Sequence, residues 1–418
     1  MEANLKIKIA VFLILAMCTL LKSQDQGVIS REYIDKMMSS VEQLRGVKFK
    51  SKVDYEIVNR EQMLKVIKDE ISRQYNKDDI MYMDVILKLL KIVDASFNLE
   101  EFMDKLYQEQ AGGLYDARSK KLYIADWIQA ELLDIVLFHE LVHALDDQYY
   151  DLEKFAFSEK SSDVKMAHLS IIEGIGTYYM LEYTFEKFGM DAEQMKDVIN
   201  FDVLYRMQDI NTLPGMDAIG NAPKYLIQQL LFPYFKGAGF VSAFIKANSE
   251  KRLSELYTNP PVSTEQIMHI ERYTTDKPGR VEIKLDRKKL KGWGVVYSDE
   301  MGEMGLNLML NDNLSVDESD LASEGWNGDR LILLKNGDKY GLIMRIAWDS
   351  EKDVGEFRDN FVKWFSGKEE KEGNVSWLVG DGINCLLQVK DLETVMILGE
   401  MERGVANAIM KSMNIGGK

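Results

Sequence analysis

The run His139-Glu140-Leu141-Val142-His143 lies in a stretch, residues 127 to 149, whose apolar side chains recur at helical spacing. Two histidines four apart on a helix project from one face, about one turn apart. Both rings can therefore reach one small ion, and a tetrahedral zinc ion suits such a pair. Glu140, beside the first histidine, stands where a general base for water is needed. The bland alternative is two helix histidines with an unrelated glutamate between them. A chain with only four histidines, two of them at this spacing in an apolar helix, favours the metal.

An ion held this way needs a third protein donor. Glu173 sits in Ile171-Ile172-Glu173-Gly174-Ile175-Gly176-Thr177, within a second apolar helix expected over 163–188. A carboxylate there is costly to bury unless it is paired or bound to a cation. Gly174 and Gly176 each weaken a helix by about 1 kcal/mol, and their missing side chains let the histidine-bearing helix come close. Glu173 is thus the expected third ligand, against a solvated Glu on a helix edge. His168 is the competing donor, but five residues earlier it lies about 140° around the helix and reads as packed or superficial. Asp147, four residues after His143, either orients a ligand histidine or is a solvated or locally hydrogen-bonded carboxylate.

Elsewhere, helical spacing covers 30–45, 60–74, 79–94, 98–110 and 224–257, and strand-like alternation covers 48–58. Residues 112–125 read as a hairpin, a polar turn between strands bearing Tyr115 and Tyr123. As an edge, such a hairpin either holds an extended peptide by strand addition or merely supports the helix. Asp126 with Gln129, and Ser263 with Gln266, have capping-box spacing. A turn-rich stretch spans 211–223. Tyr273 and His269, on the short helix after Pro260-Pro261, are the candidate donors to a developing oxyanion. Lys277-Pro278-Gly279 marks the expected boundary of a second unit. That unit carries strand-like runs at 280–285, 292–297, 330–334 and 341–347, and helices at 299–310, 350–365 and 400–413; 368–372 reads as a charged loop.

The apolar fraction of 46% and charged fraction of 29% are those of a folded chain. A net charge of −16 argues against a nucleic-acid surface, which needs clustered Lys and Arg. Lys6 and Lys8 precede an apolar run over 9–21, short of a membrane span and suited to a signal peptide or an uncleaved N-terminal anchor over 1–23. This implies an exported protein, secreted or associated with the cell envelope, with any membrane tether confined to that segment. Leu15-Ala16-Met17-Cys18 departs from a lipobox at Met17. Only Cys18 and Cys385 exist, so a chain without its leader forms no internal disulfide and rests on its core. Cys385, among apolar neighbours, reads as a buried small hydrophobe.

The run Phe138 to Gln148, followed by Ile172-Glu173-Gly174, resembles the gluzincin metallopeptidases, in which two His ligands are joined by a Glu from a following helix. More narrowly it is similar to a little-characterised bacterial and archaeal group with an HExxHAxxDQ helix and a later Glu-Gly. Gly113-Leu114-Tyr115-Asp116, Pro261-Val262-Ser263-Thr264-Glu265-Gln266-Ile267-Met268-His269, Gly325 to Arg330 and Trp348-Asp349-Ser350 match further patterns of that group, so the likeness covers most of the chain beyond the leader. It implies one zinc ion per chain, a peptide or protein substrate and hydrolysis with Glu140 as base. One departure is Thr177: gluzincins often place Asp or a small residue four after the ligand Glu, where Asp can brace the first His. The expected fold is α+β, a mainly helical zincin-like catalytic domain with an edge hairpin over 24–278 and a smaller mixed α/β domain over 279–418. The rival reading is a non-catalytic, envelope-associated scaffold with structural zinc. Structural zinc usually takes four protein ligands, and the non-ligand Glu140 favours catalysis.

Overall fold

A computed structural model describes residues 29–74, 76–110, 112–128, 130–190, 199–206, 222–380 and 382–413. The leader, Gln129 and most of the turn-rich stretch over 211–223 lie outside the described residues. The architecture is mixed α and β, with a β-sheet region at its C-terminal end. No helix among the described residues is long and apolar enough to cross a membrane.

The chain opens with α1 (Arg31–Arg45), capped by Ser30, whose side chain accepts the Tyr33 N–H. Next come β1 (Asp54–Val58), α2 (Arg60–Gln74), α3 (Lys77–Leu89) and α4 (Leu99–Gln110), then the hairpin of β2 (Gly113–Asp116) and β3 (Lys121–Ala125). β3 is central, β1 runs parallel to it, and β2 is an antiparallel edge strand. α5 (Ala130–Tyr150), which bears the paired histidines, packs on β2 and β3. Residues 126–128 precede it as turn and irregular chain, so the helix starts later than the spacing predicts. The Asp126 N–H donates to the Val58 carbonyl, and Gln129, the other half of the expected capping box, lies outside the described residues.

After α6 (Leu152–Phe157) come α7 (Ser162–Lys187), α8 (Phe201–Arg206) and α9 (Lys224–Asn248). α7 and α9 cross almost backbone to backbone. A Cβ on Gly174 would stand 2.4 Å from the Gly237 carbonyl carbon, and one on Gly237 would stand 2.1 Å from the Ser170 oxygen. Gly174 thus admits α9, not the histidine helix. Short helices α10 (Glu255–Thr258) and α11 (Thr264–Met268) follow. Ser263 caps α11 by accepting the Gln266 N–H. The Gln266 side-chain carbonyl accepts from the Val262 N–H rather than from Ser263, so only half of the expected box forms.

Residues 280–285, expected as a strand, are irregular. A seven-stranded antiparallel sheet follows in the order β4-β5-β6-β10-β9-β8-β7, built from β4 (Gly294–Asp299), β5 (Trp326–Asn336), β6 (Lys339–Trp348), β7 (Lys368–Glu372), β8 (Val375–Val379), β9 (Asn384–Lys390) and β10 (Glu393–Gly399). Residues 368–372 are therefore edge strand β7, not a loop; their backbone pairs with β8 while most of the charged side chains stay in solvent. On β10, Met396 and Leu398 face the main core, whereas Val395 and Ile397 face a second one. The main core joins α1 and α3 to α9 with α12 (Gly302–Leu310), α13 (Val316–Ser323) and α14 (Glu351–Phe365); the second lies under α15 (Arg403–Ser412). Cys385 is fully buried in the main core.

Both α11 and the sheet region hold the start of α7. Asp163 accepts from the Thr264 N–H at 3.0 Å and hydroxyl at 2.5 Å, and Asp299 accepts from the Ser162 N–H at 2.9 Å. Gly302, at φ +73°, lies against the Asp163 carboxylate, where a side chain could not fit. The helix that carries Glu173 is thereby fixed by residues more than a hundred positions away.

Candidate metal centre

α5 and α7 bring three donors to one point. His139 Nε2 lies 2.9 Å from His143 Nε2 and 3.0 Å from Glu173 Oε2, and His143 Nε2 lies 3.4 Å from Glu173 Oε2. Donors on a tetrahedral ion at bonds of about 2.0–2.1 Å stand roughly 3.3 Å apart, so the set fits zinc. Both histidines are buried. Gly176 makes the room: a Cβ there would be 2.8 Å from Cε1 of each ring.

The three groups are also strongly coupled in charge. Burial pulls the His143 pKa down, but the charge and hydrogen bond of Glu173 prevail and push it up to about 9. Burial would raise the Glu173 carboxyl, yet the two histidines hold it well below the usual carboxylate range. Among the described residues His139 Nδ1 is buried without a protein hydrogen-bond partner, as is the Thr177 hydroxyl. The carboxylate brace that Thr177 fails to supply is thus not supplied by another described side chain.

Glu140 is positioned by the edge hairpin. Its Oε2 accepts the Tyr115 N–H of β2 at 2.8 Å, and Gly113 lets the strand sit this close, since a Cβ there would meet Val136 at 2.7 Å. The outward amide of Tyr115 is thus taken by the candidate base. Asp147 orients no histidine. It accepts from the Tyr115 hydroxyl (2.7 Å), Lys120 Nζ (2.8 Å) and the Leu152 N–H (3.0 Å), which fastens the hairpin to α5. Asp146, next to it, pairs with buried Arg45 and accepts from the Tyr257 hydroxyl.

His168 is outside the group: its Nδ1 bonds the Phe155 carbonyl at 2.8 Å and its ring stacks on Phe155. Tyr273 and His269 are also outside it. The Tyr273 hydroxyl donates to the Asn259 carbonyl while its ring packs edge-on to Phe240, and His269 Nε2 is 2.9 Å from buried Glu303. Their polar atoms serve other contacts. The tyrosine at the centre is Tyr234 of α9, whose ring stacks on His139 at 6.1 Å between centroids. The charge of Glu173, then burial, hold its hydroxyl well above its ordinary pKa; that hydroxyl hydrogen-bonds Glu173 within the cluster itself, and it stays a proton-bearing donor. Its signal in the sequence is a lone phenol after Pro233 in an apolar helix. Glu70 of α2 belongs to the same surroundings; burial, then Asp116, with Glu140 and Glu173, push its carboxyl up to about 7.

A second group, Glu265, Asp276 and Asp349, also gathers ligand-type oxygens. Its centre is filled by Arg272, paired with Glu265 and lying 3.7 Å from Asp276 and 3.4 Å from Asp349.

Residues 289–410, which span the whole seven-stranded sheet and most of α15, are similar to a family described as "Domain of unknown function (DUF8575)". No curated protein and no solved structure matches the chain.

Proposed function

We propose that the protein is an exported, zinc-dependent peptidase of the gluzincin type with a zincin-like catalytic domain. The observation that carries this is the convergence of His139 Nε2, His143 Nε2 and Glu173 Oε2 on one point, with a held, non-ligand carboxylate on the residue after the first histidine. Three protein donors leave a fourth position open, as catalytic zinc requires and structural zinc does not. When bound by these three, zinc supplies Lewis acidity that brings a coordinated water to a pKa of about 7. Glu140 takes the proton of the attacking water as oxygen adds to the scissile carbonyl carbon. It returns that proton to the amine nitrogen as the C–N bond breaks. The Tyr234 hydroxyl donates to the carbonyl oxygen as it gains charge. The apolar leader supports an exported or envelope location, and the net charge of −16 speaks against a nucleic-acid partner.

The test is zinc content of the purified chain together with cleavage of unfolded casein. Glu140→Gln is expected to keep the zinc and lose about 10²–10⁴-fold in turnover. Stoichiometric zinc in a wild-type chain that cleaves nothing would favour the scaffold reading instead.

A further inference from the structure

We infer that the substrate class is an extended polypeptide stretch of large apolar side chains, seated in a cleft that begins at Glu173 and Tyr234; this rests on the peptidase reading. The cleft has a volume of about 430 Å³ and lies between the N-terminal halves of α7 and α9, closed on a third side by α3 and α4.

Its shape follows from helix geometry. Glu173, Leu169, Met166 and Ser162 line it from α7 in steps of four, three and four residues, so they share one face. At 1.5 Å per residue that face is about 16 Å long. Tyr234, Leu230 and Leu226 line it from α9 in steps of four, about 12 Å. An extended chain advances about 3.3 Å per residue, so the cleft takes roughly four residues. The helices meet at the Gly174–Gly237 crossing, which puts the catalytic end where they are closest.

The walls state the chemistry. Met83, Met103, Met166, Met301 and Met304 all face the cleft. Unbranched, polarisable side chains adapt to differently shaped apolar groups, so tolerance among Leu, Met and Phe follows rather than selection of one. Phe157 and Leu230 on the lining are 38% and 37% exposed, an apolar surface that a ligand would cover. Pro233 has no N–H, so the Gln229 carbonyl, one turn earlier, lacks its helical donor, and Gln229 on the cleft wall offers an acceptor to a peptide N–H. A hydrocarbon chain has no use for that acceptor. Asp163, Asp299 and Glu300 outnumber Lys165 on the lining and disfavour acidic side chains.

The experiment uses the full chain carrying Glu140→Gln, so that binding is read without cleavage. Two labelled, unstructured peptides are titrated by fluorescence anisotropy, one with a central Leu/Met/Phe run and one with that run replaced by Ser and Asp. The apolar peptide is expected to bind at least about 10-fold tighter, the change that burial of even one large apolar side chain brings. Leu230→Glu, a rim substitution, is expected to lower that affinity about 5-fold or more with the melting temperature unchanged, and Phe157→Glu serves as a second rim variant. Equal affinity for the two peptides, no effect of either rim variant, or displacement of the peptide by a tighter-binding free fatty acid would overturn the inference. If the apolar peptide binds but the wild-type chain never cleaves it, the peptidase reading falls and the cleft assignment stands. If casein is cleaved without an apolar preference, the cleft assignment falls alone.

Discussion

His139, His143 and Glu173 form one cluster of three ligand-type side chains whose donor atoms lie within 4.8 Å; Glu265, Asp276 and Asp349 form another. The second carries its own cation, the Arg272 guanidinium, and its donors are all carboxylate oxygens. In the first, the ion pairs of Glu173 among the described residues are with the two histidines, whose Nε2 atoms face each other. Two facing imidazole nitrogens beside a carboxylate are satisfied by a shared cation, and the set contains the nitrogen donors that zinc prefers. Proximity of acidic groups does not make a metal site. The first set pairs with no Lys or Arg among the described residues, and that is why we propose it, not the second, as the metal site.

The comparison breaks first, and with the largest effect, at the ligands. His143→Ala is expected to abolish zinc retention after dialysis and with it essentially all turnover, because two donors do not hold a stable site. Glu173→Ala is expected to do the same, and His168→Ala to leave zinc unchanged. The double variant Asp276→Ala/Asp349→Ala should retain one zinc per chain. Metal lost from that variant, or kept by His143→Ala, would reverse the assignment of the two clusters.

Arg272→Met separates them by stability. It leaves Glu265, which is fully buried, without its counter-charge. Breaking such a pair costs about 3 kcal/mol, the low end of the usual range because Glu265 can take up a proton. Denaturant unfolding should show that loss while zinc content stays at one. An unchanged midpoint would mean that Arg272 contributes nothing to holding α11 in place.

The next effect is a pH slope. Burial first, then the charge of Glu303, outweigh Arg272 and push Glu265 from an ordinary 4.5 up to about 8. Between those values the folded state holds a proton that the unfolded chain releases, so stability falls as pH rises through that window. Asp163, raised to about 7 by burial, acts with the same sign. Each such group adds at most about 1.4 kcal/mol per pH unit. Glu265→Gln keeps an acceptor for Arg272 and should flatten part of the slope measured by urea unfolding at pH 5, 6.5 and 8. The same slope in that variant would show that the carboxyl is ionised throughout.

The two clusters also differ in how well they can be read from sequence. Spacing alone puts His139 and His143 on one face, and an isolated carboxylate among isoleucines and glycines picks out Glu173. Tyr234 arrives from a helix some sixty residues further on, through a glycine crossing that no local pattern reveals. In the sequence Tyr273 and His269 are marked only by a nearby capped helix, and in the fold their polar atoms are spent on Asn259 and Glu303. The fold shows the same division. Helix 60–74 and the hairpin follow from periodicity, but β8 to β10 do not. β10 is apolar towards both of its faces, so the alternation that betrays a half-buried strand is missing. β7 reads as a loop for the opposite reason, since its charged side chains lie in solvent and only its backbone is paired.

The smallest expected effect concerns the brace that the metal cluster lacks. Metal-bound histidines usually donate their second N–H to a carboxylate or carbonyl, and losing that partner typically costs about 10–100-fold in metal affinity. Among the described residues His139 Nδ1 has no protein partner, and the Thr177 hydroxyl, on the same helix as Glu173, has none either. Thr177 therefore braces nothing directly. Thr177→Val keeps the side chain's shape and removes a buried, unpartnered hydroxyl, so stability should stay level or rise by up to about 1 kcal/mol. Zinc affinity, measured by competition with a chelator, should stay within about twofold of wild type. A tenfold drop would show that Thr177 reaches His139 through an intervening water, and the cluster would then have the brace that its direct contacts omit.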